Sequence, residues 1–290
     1  MAFVGFSSWA FPDDPPERSI DFAHQEGFDG VEFAFLTEGL WEGRLIPTER
    51  HAERLAASCG GLVRSVHAPI DQMALASPDS QERGRSQDLL LETIDAAAAL
   101  GAGVVVAHLR HGHAQGQPSW LDHAGEPLRR CGDRAAERGL IVGVENYGVG
   151  DDHADADYAA LAALIDRVGH PAVRMTLDVG HANVHLGPSD GVGQAARLFG
   201  DRVAHYHVHD NFGGADDHLP VGQGSADLSS LATRDWSSSP AMLMLEVFPF
   251  AIPDAAPGLR DSHRILREWV GASGSDASSL DASGSDASGS

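Results

Sequence analysis

Apolar and polar positions follow a repeating two-part rhythm along this chain. Short apolar runs, many of them β-branched, cover residues 4–7, 30–35, 62–67, 104–109, 141–146, 173–178, 203–208 and 242–248. Several are continuously apolar instead of alternating, the pattern of parallel strands covered on both faces. The intervening segments carry helical periodicity over 16–26, 48–58, 78–100, 121–138, 155–168, 192–199, 225–231 and 261–270. In the long third segment Leu89, Leu90, Ile94 and Ala97 form one apolar stripe. Pro16 and Thr48 mark helix starts, and Gly27, Gly60, Gly101, Gly139 and Gly169 mark stops.

Eight strand–helix units in 290 residues predict a single-domain α/β fold, a (β/α)8 TIM barrel. The rival is an open, doubly wound sheet. It would announce a glycine-rich loop after the first strand. That loop reads Ser7-Ser8-Trp9-Ala10-Phe11-Pro12, and no GxGxxG or Walker pattern occurs. The barrel is expected to span residues 1–270. Residues 271–290, GASGSDASSLDASGSDASGS, cannot bury enough surface to offset chain entropy and read as a disordered tail.

Charge narrows the choice of partners. Asp and Glu total 42 against 20 Lys and Arg, a formal net charge of -22. Such a surface repels nucleic acid and anionic membranes. No apolar run approaches the roughly 20 residues of a membrane span. The start, MAFVGFSSWAFPDDPPE, lacks the basic and apolar parts of a secretory leader, so a cytoplasmic location is expected. Cys59 and Cys131 make no disulfide framework and read as reduced thiols.

A barrel of this kind presents chemistry at the C-terminal ends of its strands. Those ends carry Glu32, His67, His108, Glu145, Asp178 with His181 three residues on, His207 and Glu246; the loop after His207 adds Asp216-x-His218. Apart from Glu32, these nine are the candidate metal ligands. Carboxylates and imidazoles aimed at one mouth need cations or each other. Their number suits two or three ions, and the nitrogen-rich donor set favours zinc or manganese over magnesium or calcium. No organic cofactor is expected. Glu32, Trp9, Trp41, Arg110, Asn146, His209 and Asp210 are candidates to touch substrate or to orient ligands. Glycines 213, 214, 222 and 224 surround Asp216 and His218, which predicts a loop ordered by metal.

At these residues the chain resembles the xylose-isomerase-like TIM barrels, which include sugar isomerases and epimerases and the tri-zinc apurinic/apyrimidinic endonucleases. The resemblance covers about residues 1–270. It is carried by His67, His108, Glu145-Asn146, Asp178-x-x-His181, His207-x-x-Asp210, Asp216-x-His218 and Glu246. In the endonuclease branch it implies three ions. His67, His108 and Glu145 would hold one; Glu145, Asp178, His207 and Glu246 a second; His181, Asp216 and His218 a third. In the isomerase branch it implies one ion on Glu145, Asp178, His207 and Glu246, with the two glutamates moving protons and His181 helping to bind substrate. The flanks depart from the nuclease pattern: His108 precedes Leu109-Arg110, and basic residues near the mouth are sparse, with Arg44, Arg64, Arg110 and Arg174 as the candidates.

The expected function is therefore a divalent-metal-dependent enzyme, first a multinuclear phosphoester hydrolase for a small phosphorylated or sugar-like substrate. Glu145, Glu246 and His181 are its catalytic candidates. A one-metal sugar or sugar-phosphate isomerase or epimerase, with Glu145 and Glu246 as proton-transfer groups, is the alternative. A non-catalytic metal or carbohydrate binder is the third reading. Duplex DNA and membranes are disfavoured as partners, and the oligomeric state is left open.

Overall fold

All eight apolar runs form strands. The computed structural model describes residues 2–36, 40–109, 121–148, 157–237, 241–249 and 252–279. The strands are β1 Phe3–Ser7, β2 Gly30–Ala34, β3 Val63–His67, β4 Val104–Ala107, β5 Ile141–Glu145, β6 Val173–Asp178, β7 Val203–Val208 and β8 Met242–Leu245. They pair in parallel in sequence order, and β8 closes on β1 through Phe3↔Met242 to Phe6↔Leu245. The expected (β/α)8 barrel is the observed fold.

The helices are α1 Glu17–Glu26, α2 Glu49–Ser58, α3 Ser80–Leu100, α4 Leu121–Arg138, α5 Tyr158–Val168, α6 Val179–Leu186, α7 Gly191–Phe199, α8 Ser229–Ala232 and α9 Ala255–Ser279. Local chemistry sets their ends. Thr48, Asp79 and Asp157 cap α2, α3 and α5 through side-chain oxygens that accept backbone N–H groups. Gly101 ends α3 at φ 72°, where its N–H reaches the carbonyls of Ala97 and Ala98. Strand and helix faces meet in one continuous core that includes Phe6, Val31, Phe33, Val105, Val144 and Leu243, all fully buried.

Three boundaries differ from the sequence pattern. The helix α6 follows β6 without a loop, where only the α7 region was expected. Asp178 caps it by accepting the N–H of His181 at 2.6 Å. The short α8 occupies only part of 225–231. The last helix starts six residues before the expected 261 and continues past 270 to Ser279, so the backbone of 271–279 is helical where disorder was expected. Residues 280–290 lie outside the described residues.

Among the described side chains, the α9 residues in the core cluster, Ala255, Ala256, Leu259 and Leu266, all precede position 270. A chain cut after Val270 is therefore expected to unfold with a midpoint within about 2 °C of the full chain, since surface changes away from packing cost under roughly 0.5 kcal/mol. A broadened or much lower thermal transition would show that residues 271–290 pack on the barrel.

Candidate metal centre

Parallel register sets the candidate ligands at one height. Asp178 pairs directly with His207 across β6 and β7. His67 and Glu145 are the last residues of β3 and β5, and His108 and Glu246 stand one residue beyond β4 and β8. All are buried, and Asp216, on the loop after β7, keeps a side chain 23 % exposed. Seven of the nine line a cavity of about 250 Å³ at the barrel mouth, while Asp178 and His207 lie beneath it.

Glu145 is the hub. Its Oε2 lies 3.3 Å from His67 Nε2 and 3.1 Å from His108 Nε2. Its Oε1 lies 3.0 Å from His207 Nδ1. One carboxylate thus faces two groups of nitrogen donors. Potential ligand atoms of His67, His108 and Glu145 lie within 4.8 Å of one another, and so do those of Glu145, Asp178, His207 and Glu246.

The third grouping is looser. Asp216 Oδ2 sits 3.2 Å from His181 Nε2 and 2.9 Å from His218 Nε2, so the two histidines meet through one oxygen. On that side His209, His218 and Glu246 form the mutually close set. His218 adopts φ 49°, a left-handed conformation that costs a non-glycine residue about 1–2 kcal/mol. The ring is held there by stacking on His209 and Phe248 at 4.0 and 4.4 Å between centroids.

Backbone carbonyls aim three of the histidines. His67 Nδ1 contacts Ala68 O at 2.8 Å, His181 Nδ1 contacts Asn146 O at 2.9 Å, and His218 Nδ1 contacts Glu246 O at 2.9 Å. A carbonyl only accepts, so each Nδ1 carries the proton and each Nε2 is left to face the cluster.

The charges are crowded. Burial raises the carboxyl pKa of Glu145, but His207 and His108 outweigh it and hold it well below the usual carboxylate range. Glu246 is pushed up to about 8, by burial first and then by repulsion from Glu145, Asp178 and Glu32 against the pull of His207. Burial disfavours the charged form of His181 and His207, yet the surrounding carboxylates raise both well above the ordinary histidine value. Imidazole nitrogens and carboxylate oxygens thus meet at 2.9–3.3 Å, a donor grouping of the kind a divalent cation holds. Two ligands held by one ion at about 2.0–2.3 Å stand roughly 3.3–3.8 Å apart, so these contacts need only open slightly to admit it. The donor set fits divalent metal ions.

The other expected site residues separate by burial and partner. Trp9 lines the cavity and packs on Phe248 at 5.0 Å. Trp41 does not reach the mouth: it is 1 % exposed and packs edge-on against Phe35, a core residue. Asn146 turns away from the cavity and ties β5 to β6, donating to Asp178 O and accepting Asp178 N–H. His209 Nε2 contacts both oxygens of Asp178 at 3.2 Å. Gly180 makes room for it, because a Cβ there would lie 1.9 Å from the His209 ring.

Asp210 accepts the N–H groups of Asn211, Gly222, Gly224 and Ala226 and so builds the loop itself. That loop, expected to depend on metal, has this anchor of its own. Glu32 is fully buried below the mouth. Arg110 lies outside the described residues. Arg44 pairs with Glu92, and Arg174 bonds to backbone carbonyls at Asp201 and Arg202. The sequence reading passed over Tyr147, Phe248 and the Ile70-Asp71-Gln72 segment, all of which line the cavity. Tyr147 directly follows the Glu145-Asn146 pair, and Phe248 ends the last apolar run; both were in view but carried no ligand chemistry.

The comparisons agree with this architecture. Residues 20–269 match the family described as xylose isomerase-like TIM barrel. An uncharacterized protein of Methanocaldococcus jannaschii, MJ1311, is 26 % identical over 163 residues, 55 % of each chain, so this chain matches only about half the length of that relative. A probable endonuclease 4 of Mycobacterium tuberculosis is 28 % identical over 264 residues, covering 89 % of this chain and 97 % of that one. The structure of an L-ribulose 3-epimerase superposes with a TM-score of 0.77 over 99 % of this chain and 100 % of that one, at 18 % identity. At that identity the likeness speaks for the fold alone. The chain belongs to the xylose isomerase-like TIM-barrel family.

Proposed function

We propose that the protein is a multinuclear phosphoester hydrolase, dependent on zinc or manganese, that acts on a small phosphorylated or sugar-like substrate. The position of Glu145 carries this reading. Its two oxygens face separate donor groups, His67 with His108 on one side and His207 on the other. A carboxylate so placed suits a bridge between two ions, and Asp216 between His181 and His218 offers a third position. A one-metal isomerase has no need of His67, His108 or His218 as ligands. The identity of the mycobacterial relative points the same way.

Bound ions would supply Lewis acidity at the ester oxygens and lower the pKa of attacking water. The chain's own residues do the rest. Glu145 fixes the spacing of the two donor groups and would orient the attacking water beside them. Glu246, at the rim of the cavity, completes the middle position, and His181 holds Asp216 toward the mouth. Trp9 packed on Phe248, and Tyr147 beside His108 and His181, are the aromatic parts of the lining that exclude water and seat the organic part of the substrate. No Arg or Lys lines the cavity among the described residues, and the net charge is -22, so a small substrate suits the site better than a DNA duplex.

One observation favours the isomerase or epimerase alternative. Glu145 and Glu246 both line the cavity together with Trp9, Tyr147 and Phe248, the company that proton exchange on a sugar carbon would use. Elemental analysis of the purified protein, with assays on a phosphate-ester panel and a ketose panel, decides between them. Two or three equivalents of metal with ester hydrolysis is the expected result. One equivalent, with proton exchange at a ketose carbon and no hydrolysis, would replace it with the alternative.

A further inference from the structure

His207 differs from the other histidines of the cluster. His67, His181 and His218 turn Nε2 toward the site and rest Nδ1 on a backbone carbonyl. His207 is reversed: Nδ1 faces Glu145 Oε1 at 3.0 Å, and Nε2 points down into the barrel to Glu32 Oε1 at 2.9 Å. Its outer partner is thus a carboxylate, fully buried one layer below the mouth. Neither Nε2 nor Oε1 has a hydrogen-bond partner among the described residues, so at 2.9 Å each is left to the other as a close ion-pair contact.

Placing a carboxylate there is costly, and the barrel offsets it with a dedicated cradle. Ser65 stands beside Glu32 in the β2–β3 register and donates to its Oε2 at 2.8 Å. His205, two residues before His207 and on the same face of β7, contacts the same oxygen at 2.9 Å. Oε2 is therefore occupied twice, and Oε1 is left for His207. The buried polar groups at this depth, Ser65, His205 and His207, all turn on Glu32. The cradle makes sense as a support for one imidazole.

We propose that Glu32, held by Ser65 and His205, is a positioning residue for the middle metal position: it keeps the His207 Nε2 proton in place, directs Nδ1 at the ion, and strengthens that nitrogen as a donor. The inference rests on the metal position of the proposed function but not on the reaction, since hydrolase and epimerase readings both use His207. Carboxylates behind metal-bound histidines commonly tune affinity by about 10- to 100-fold.

The test uses the full chain and zinc alone. Glu32→Gln keeps the size of the side chain and removes its charge. One zinc equivalent is expected to bind roughly 10- to 100-fold more weakly by chelator competition, while the remaining equivalents and the cooperative thermal transition persist. A purely structural role would instead lower the transition and leave the affinities of the folded fraction equal. Unchanged affinity at every equivalent overturns the inference while leaving the proposed function standing. Outright loss of an equivalent also overturns it, because Glu32 would then be a ligand.

If Glu32→Gln does not fold, histidine-selective nitrogen-15 NMR of the zinc-loaded wild type decides. His207 should carry its proton on Nε2 and the metal on Nδ1; the opposite arrangement refutes the tether. A wild-type protein that binds no zinc removes both the inference and the metal reading beneath it.

Discussion

Glu145→Gln is expected to reduce turnover by about three orders of magnitude and to weaken two metal positions together. Glutamine preserves the shape and the burial of the side chain. It replaces one oxygen by an NH2 group, which donates and cannot bind a cation. That group must face either His67 and His108 or His207, because the glutamate oxygens face both. Whichever side it takes, the other retains only a neutral amide oxygen where a carboxylate stood. Metal content should therefore fall by more than one equivalent. The metal-free protein should also lose stability, because His207 and His108 more than offset the burial of the Glu145 carboxylate and the substitution leaves those buried imidazoles without it. Elemental analysis beside a melting curve checks both halves. Full metal content in a folded Glu145→Gln protein would show that Glu145 bridges nothing, and the multinuclear reading would fall with it.

The strand ends were legible because each polar residue closes an apolar run. A histidine after Ser65-Val66, or a glutamate after Val142-Gly143-Val144, has no other reason to end a buried strand. The barrel was legible from the same period. What the sequence concealed depends on partners distant along the chain. The helix α6 was missed because it begins at a ligand candidate and buries His181 and Asn183, so its apolar stripe is interrupted by polar residues. Asp210 read as a site residue because it closes the His207-Val208-His209 run. Its carboxylate serves backbone N–H groups up to 16 residues away, a destination no local pattern shows. Trp41 read as a rim aromatic, whereas Phe35 draws it into the core. Glu32 read as an isolated polar strand end; only the β2–β3 register and the inward face of β7 reveal Ser65, His205 and His207 around it. Which nitrogen of each ring faces the site is likewise fixed by the carbonyl or carboxylate behind it, and that is a property of the closed barrel.

His218→Ala separates the chemistries at the looser end of the site. In a hydrolase with a third ion, alanine should remove about one equivalent of metal. It should lower kcat on a phosphate ester about 100-fold, since the lost interaction acts on charge that develops during attack. In a one-metal isomerase the same change should leave metal near one per chain and mainly raise KM. The backbone complicates a simple comparison. His218 lies at φ 49°, and the contacts that hold it there run through its ring, to Asp216 Oδ2 at 2.9 Å and to Phe248 and His209 by stacking. Alanine keeps the unfavourable backbone and removes those contacts, so the turn could relax and displace Asp216 as well. His218→Asn addresses this, because asparagine tolerates the left-handed region at low cost. Its short amide does not reach where the imidazole Nε2 stood. If ligand loss is the cause, alanine and asparagine should lose the same equivalent of metal and a similar factor in kcat. If asparagine restores metal and turnover while alanine does not, His218 shapes the turn and binds nothing, and the third metal position must be given up.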